Sequence, residues 1–277
     1  MVGKDRESRK GCHEAGNAAL WATFEAYYAS QRHAIAPGRM KLLDHPPKRA
    51  MAVGAHPDDA ELSAGATLAR WIAAGCELTI VVCTDGAAGS ADVAARTTRV
   101  SEIRRQEQRA AALELGAANV EMLPFPDGGL EDTREFRGAI VELIRKYRPQ
   151  TVLTHDARTT DRFVHRDHRI TGAVVEDAIY PYARDPLHYP EHLGRALAPH
   201  KVKELLLWES DAPNVFVDAQ GYLEDQARAL AAHASQLAGI FGDHPEILQQ
   251  LRERAGNAGL KHGVKFAETF RRLPAPR

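Results

Sequence analysis

Apolar residues in this chain form short continuous runs separated by longer segments of helical periodicity. Residues 50–55, 77–83, 119–123 and 151–154 are runs of strand length. Between them lie residues 61–74, with Leu62, Leu68 and Ile72 on one face, residues 99–115, closed by Gly116, and residues 133–147. Strands that are apolar throughout and alternate with helices predict a parallel sheet covered on both faces. Right-handed crossovers then give a doubly wound, Rossmann-like α/β fold. Beyond His168 the pattern predicts a helix over 169–180, a proline- and histidine-rich loop over 181–199 and strands over 204–208 and 214–217. Helices over 222–237 and 245–255 follow. Residues 1–45 read as an N-terminal extension with one helix, carried by Leu20, Trp21, Phe24, Tyr27 and Tyr28, and residues 46–277 as a single domain.

Composition narrows the partners. The chain has 277 residues, 44% hydrophobic and 26% charged, with a formal net charge of −1. No basic field points to nucleic acid or an anionic membrane. Its apolar runs, such as residues 78–83, are too short to span a bilayer, and the charged start, Met1 to Arg6, has no apolar segment of a secretory signal behind it. Three cysteines, Cys12, Cys76 and Cys83, give neither a disulfide framework nor a metal-type spacing. A cytoplasmic protein is expected.

Candidate chemistry falls at strand ends. Ala55-His56-Pro57-Asp58-Asp59 directly follows the first strand, where open parallel sheets bind ligands. Pro57 fixes its own φ and stiffens the turn that holds the flanking side chains. A competing reading is that Asp58 or Asp59 caps the following helix. His165-Arg166-Asp167-His168 follows the fourth strand, with both histidines on one side if a helix begins there. Asp167 lies between them as a carboxylate able to fix an imidazole tautomer. Together the two clusters offer two His and one Asp as ligands, with one Asp and one His to spare. Hydrolytic zinc needs that stoichiometry: three protein ligands leave a position for water, whose pKa the cation lowers towards ~7. The spare carboxylate would act as general base and the spare imidazole would steady an oxyanion or protonate a leaving amine. A His-His-carboxylate set also suits Fe(II) or Co(II).

Other histidines are less informative. Pro190 separates His188 from His192, and Asp243-His244-Pro245 reads as a helix cap. His155 could line the pocket without ligating. His233, in a late helix, stays open on its own.

The stretches Ala55-His56-Pro57-Asp58-Asp59-Ala60-Glu61-Leu62, Thr84-Asp85-Gly86 and His165-x-Asp167-His168-Arg169 resemble the PIG-L/LmbE-like zinc deacetylases over about residues 49–236. The resemblance implies zinc on His56, Asp59 and His168, with Asp58 as general base and His165 aiding the oxyanion and leaving amine. It further implies substrate contacts from Arg104, Asp127 and His233. Without it, Arg104 and Glu107 read as an ion pair on a solvated helix, and Asp127 before Gly128 as a turn residue. The extension, Ile103-Arg104-Arg105-x-Glu107, His233-x-Ser235-Gln236 and Gly263-Val264-Lys265-Phe266 are most similar to the diacetylchitobiose deacetylase type, which implies a homo-oligomer, possibly a hexamer. Arg166 departs from the Pro found at that position in many members.

The function expected is hydrolysis of an N-acetyl amide on a GlcNAc-type amino sugar. Alternatives are an amidase acting on a thiol conjugate or another acylated amine, and a metal-free binding protein of the same fold. A dinucleotide-binding dehydrogenase is disfavoured, since Ala55-His56-Pro57 stands where a Gly-x-Gly-x-x-Gly would be.

Overall fold

A computed structural model of the chain describes residues 40–160, 162–242 and 246–276. The helix expected near residues 18–28 and the Asp243-His244-Pro245 cap lie outside them. Eight strands form one sheet: β1 (Lys41–Leu42), β2 (Arg49–Gly54), β3 (Glu77–Thr84), β4 (Asn119–Phe125), β5 (Thr151–His155), β6 (Glu204–Trp208), β7 (Val215–Asp218) and β8 (Ala267–Pro274). Their spatial order is β1-β7-β8-β6-β5-β2-β3-β4. β6, β5, β2, β3 and β4 run parallel, and β8 is antiparallel to both of its neighbours, β6 and β7.

Alternation along the strands sorts the core. Ala50, Ala52, Leu78 and Ile80 face helices α1 (Asp59–Ala73) and α2 (Thr97–Leu115), packing with Leu68, Trp71, Ala111 and Leu115. Met51, Val53, Val81 and Val152 face α3 (Arg134–Tyr147) and α4 (Arg166–Asp177), packing with Phe136, Ile140, Val174 and Val175. Successive side chains of a strand point to opposite faces, so both faces must be apolar when helices cover both. Later helices α5 (Leu223–Ala231), α6 (Leu237–Phe241) and α7 (Ile247–Leu260) follow β7, and α5 and α7 share a third cluster around Leu223, Leu230 and Leu251.

Three differences from the sequence pattern have physical causes. β1 lies inside the stretch expected as an extension, pairing Lys41 with Val215 and Leu42 with Phe216. Two residues are too few for a period to show. β8 was not expected either: Ala267-Glu268-Thr269-Phe270 alternates only briefly before Arg271 and Arg272, yet Ala267 and Phe270 are buried. The helix expected to reach residue 237 stops at Ala231, and a turn through His233 precedes α6.

The chain runs from β2 outward through β3 to β4, then returns to place β5 on the other side of β2. Between β2 and β5 the connections leave in opposite directions, which opens a crevice at the carboxyl ends of those strands.

Candidate metal centre

The His56–Asp59 turn leaves β2 at that crevice, and the segment after β5 brings His165 and His168 to its other wall. Gly54 permits the turn to fold back: a Cβ there would lie 2.8 Å from Cβ of Asp59. Asp58 adopts φ 102°, a conformation rare for a residue with a side chain. Its backbone N–H donates to Oε1 of Gln108 at 3.1 Å, and its side chain makes no helix cap. Its carboxylate instead accepts from Nη2 of Arg104 at 3.1 Å, against the capping reading for Asp58.

Donor atoms of three residues converge. Nδ1 of His56 lies 3.2 Å from Nε2 of His168, which is 3.3 Å from Oδ1 of Asp59. Nδ1 of His56 is 3.7 Å from Oδ2 of Asp59. Oδ2 of Asp59 also accepts from the His56 backbone N–H at 2.7 Å, leaving Oδ1 directed at the imidazoles. His165 belongs to the same cluster, its ring edge-on to His56 with centroids 4.7 Å apart, and it is exposed at the rim. Nδ1 of His165 accepts from the Asp167 backbone N–H at 3.2 Å, so its proton sits on Nε2.

Carboxylates line the far side of His56. Its Nε2 faces Oδ1 of Asp127 at 3.1 Å and Oδ2 of Asp167 at 3.4 Å. Asp167, fully buried, also accepts from the N–H groups of Gly128 and Leu130, and Asp127 accepts from that of Ala88. A proton on Nε2 leaves Nδ1 free to ligate. The site's field favours positive charge at this point. Burial opposes a charge on His56, but its hydrogen bond to the Asp127 carboxylate and the charges of Asp59 and Asp127 outweigh it, raising its pKa to about 9. Burial also opposes ionisation of Asp59, but the imidazoles of His155 and His168 hold it well below the usual carboxylate range. Two nitrogen donors and a committed carboxylate in an acidic surround fit a divalent cation such as Zn2+.

Asp58 stands apart from the three donors. Burial, with Asp59 beside it, pushes its pKa up to about 7, against the pull of Arg104 and His233. That is the range in which a carboxylate can take up and release a proton at neutral pH.

Arg104, Asp127 and His233, expected as substrate contacts, all lie close to the cluster. Arg104 is buried: Nη2 donates to Oδ2 of Asp58 and to the Pro57 carbonyl, and Nη1 donates to the Gly86 carbonyl. It does not pair with Glu107, which instead accepts from the backbone N–H and hydroxyl of Ser235. His233 has no exposed surface, and its Nε2 lies 3.7 Å from Oε2 of Glu61. Gln108, unremarked in the sequence, joins these groups by donating from Nε2 to Oε1 of Glu61 at 2.7 Å. Its only signal was its position one helical turn after Arg104, on the same face.

A His-Asp-His donor cluster with the Asp58 carboxylate at its side, at the switch point of a Rossmann-like sheet, is an arrangement able to hold a divalent cation. The chain belongs to the PIG-L family: residues 51–179 match the family described as PIG-L, GlcNAc-PI de-N-acetylase. It is 30% identical over 232 residues to the diacetylchitobiose deacetylase of Thermococcus kodakarensis, covering 82% of this chain and 84% of that protein. A 1D-myo-inositol 2-acetamido-2-deoxy-alpha-D-glucopyranoside deacetylase of Rhodococcus erythropolis is 30% identical over 241 residues, covering 69% of this chain and 81% of that one. Among solved structures, N,N'-diacetylchitobiose deacetylase of Pyrococcus horikoshii superposes with a TM-score of 0.75 at 28% identity, covering 82% of this chain and 84% of the other. The protein is an enzyme that hydrolyses amide carbon–nitrogen bonds. No helix among the described residues is long and apolar enough to cross a membrane.

Proposed function

We propose that the protein removes the N-acetyl group of a GlcNAc-type amino sugar, releasing acetate and a free amine. His56 through Nδ1, Asp59 through Oδ1 and His168 through Nε2 would hold the cation, Zn2+ by preference. Bound there, it would supply a Lewis acid for the acyl oxygen and lower the pKa of water towards ~7. Asp58 takes the proton of the attacking water and passes it towards the amine. His165, at the rim, donates a hydrogen bond from Nε2 to the developing oxyanion and so eases departure of the amine that Asp58 protonates.

The observation that carries this reading is that Nε2 of His168 lies 3.2 Å from Nδ1 of His56 and 3.3 Å from Oδ1 of Asp59, while the Asp58 carboxylate pairs with Arg104 instead. The sugar class is supported by the relatives, whose names specify acetylated glucosamine compounds. Arg104 and Asp127 serve this reaction by holding Asp58 and His56, and His233 by its field on Asp58, rather than by touching the sugar. The resemblance further supports a homo-oligomer, which light scattering reads directly.

The test is acetate release from a panel of N-acetylated mono- and disaccharides and non-sugar amides, with and without chelator. Release from the sugars, abolished by chelator and restored by Zn2+, is expected. Acetate release that ignores the chelator, or activity confined to the non-sugar amides, overturns the reading.

A further inference from the structure

His155 ends β5 with a buried ring stacked on His168, their centroids 3.9 Å apart, and its Nε2 lies 3.1 Å from Oδ2 of Asp59. By proximity alone it joins Asp59 and His168 as a third possible metal ligand. Its other nitrogen decides otherwise. Nδ1 is 3.0 Å from Nε1 of Trp208, at the end of the neighbouring strand β6. An indole N–H only donates, so Nδ1 must present its lone pair and cannot carry a proton. A neutral imidazole then has its single proton on Nε2, directed at Asp59. The Ala55 N–H also approaches Nε2, at 3.3 Å, and Oε2 of Glu209 stands 3.8 Å from Nδ1; the indole bond at 3.0 Å is the shorter contact to Nδ1 and sets the tautomer.

We infer that Trp208 and His155 form a positioning relay, indole N–H to imidazole N–H to Asp59, which orients a metal ligand while His155 itself stays off the metal. The inference rests on the proposed metal centre. Trp208 fixes the tautomer, and His155 and the His56 backbone N–H occupy Oδ2 of Asp59. Only Oδ1 is left for a cation. The residues come from adjacent parallel strands whose register sets His155 opposite Trp208. Both are buried, at 1% and 0% exposure, so water does not compete for these bonds. Groups hydrogen-bonded to metal ligands typically contribute about 10–100-fold to metal affinity.

The experiment uses full-length protein with 15N-labelled histidine, loaded with 113Cd. Cadmium coupling to ring nitrogens of His56 and His168 but not of His155, with His155 protonated at Nε2 only, is expected. Coupling to His155 overturns the inference by making it a ligand. Coupling to none of the three overturns the metal centre itself, and the relay with it. In chelator competition, His155→Leu should lose about 10–100-fold in Zn2+ affinity. His155→Gln, able to accept from the indole and donate to Asp59, should recover much of it. The Trp208 indole N–H resonance should shift in His155→Leu far more than in His155→Gln. Equal affinities for Leu, Gln and wild type, in folded protein, also overturn the relay.

Discussion

Nη2 of Arg104 lies 3.1 Å from Oδ2 of Asp58 and 2.7 Å from the carbonyl of Pro57, so one guanidinium grips both the candidate base and the turn that presents it. Gly89 is shaped to this contact. A Cβ there would stand 2.3 Å from Nη1 of Arg104 and 3.1 Å from Oε1 of Gln236. Gly89→Ala should push the guanidinium away from Asp58 and lower kcat by roughly 10–100-fold, because small misplacements at a reacting centre are costly. Bound Zn2+, measured by mass spectrometry, should stay at wild-type stoichiometry. Unchanged kcat would detach Arg104 from the chemistry.

Asp58 carries no ligand in this assignment. Asp58→Asn should therefore keep its metal while kcat falls by roughly 10²–10⁴-fold, the usual worth of a positioned acid–base group. Asn also tolerates the positive φ of this position better than most residues, so the turn should persist. His168→Ala, in contrast, should lose both metal and turnover. Zinc content and kcat measured on the same preparations separate the two roles, and full activity in Asp58→Asn would remove it as the base.

Glu268 gives a pH dependence of folding away from the catalytic residues. Buried in β8, it accepts from the backbone N–H of Ala66 at 3.2 Å and of Thr67 at 2.7 Å. Burial raises its pKa above the ordinary value despite these bonds. Between the unfolded and the raised folded pKa, the native state binds the extra proton. Stability therefore falls as pH rises through that window, and the loss is complete above the folded pKa. Glu268→Gln removes this dependence, so its urea midpoint should gain on wild type as pH rises from 4.5 upward. A constant offset between the two across that range would contradict the assignment.

Arg145 fastens the proline- and histidine-rich loop. Its guanidinium donates to the carbonyls of Tyr182, Ala183, Asp185, His188 and Tyr189. Arg145→Met keeps the apolar stem but strips all five bonds; the carbonyls of Ala183, Asp185 and Tyr189 keep backbone N–H partners, while those of Tyr182 and His188 lose their guanidinium donor. A loss of about 3 kcal/mol in urea unfolding is expected, in line with breaking a buried polar network. A loss below about 0.5 kcal/mol, the range of ordinary surface substitutions, would show the loop to be held by other contacts.

What the sequence determined by itself was the layered fold and the two histidine- and aspartate-bearing segments that form the candidate site. Runs such as residues 78–83 are apolar on both faces because helices cover both faces, and that constraint is written locally. His56-Pro57-Asp58-Asp59 and His165-Arg166-Asp167-His168 each sit within a few residues of a strand end, so proximity along the chain already placed them at the crevice. The tertiary structure alone decided how their neighbours work. β8 pairs with strands some 50 to 70 residues away. Gln108 and Arg104 reach the turn from a helix, and Trp208 meets His155 only because two distant strands share a register. A hydrogen bond between residues 53 apart leaves no periodicity in the sequence, since it depends on strand order rather than on local pattern. Thus His155, one residue in a short apolar run, reads as pocket lining until the indole across the strand fixes where its proton lies.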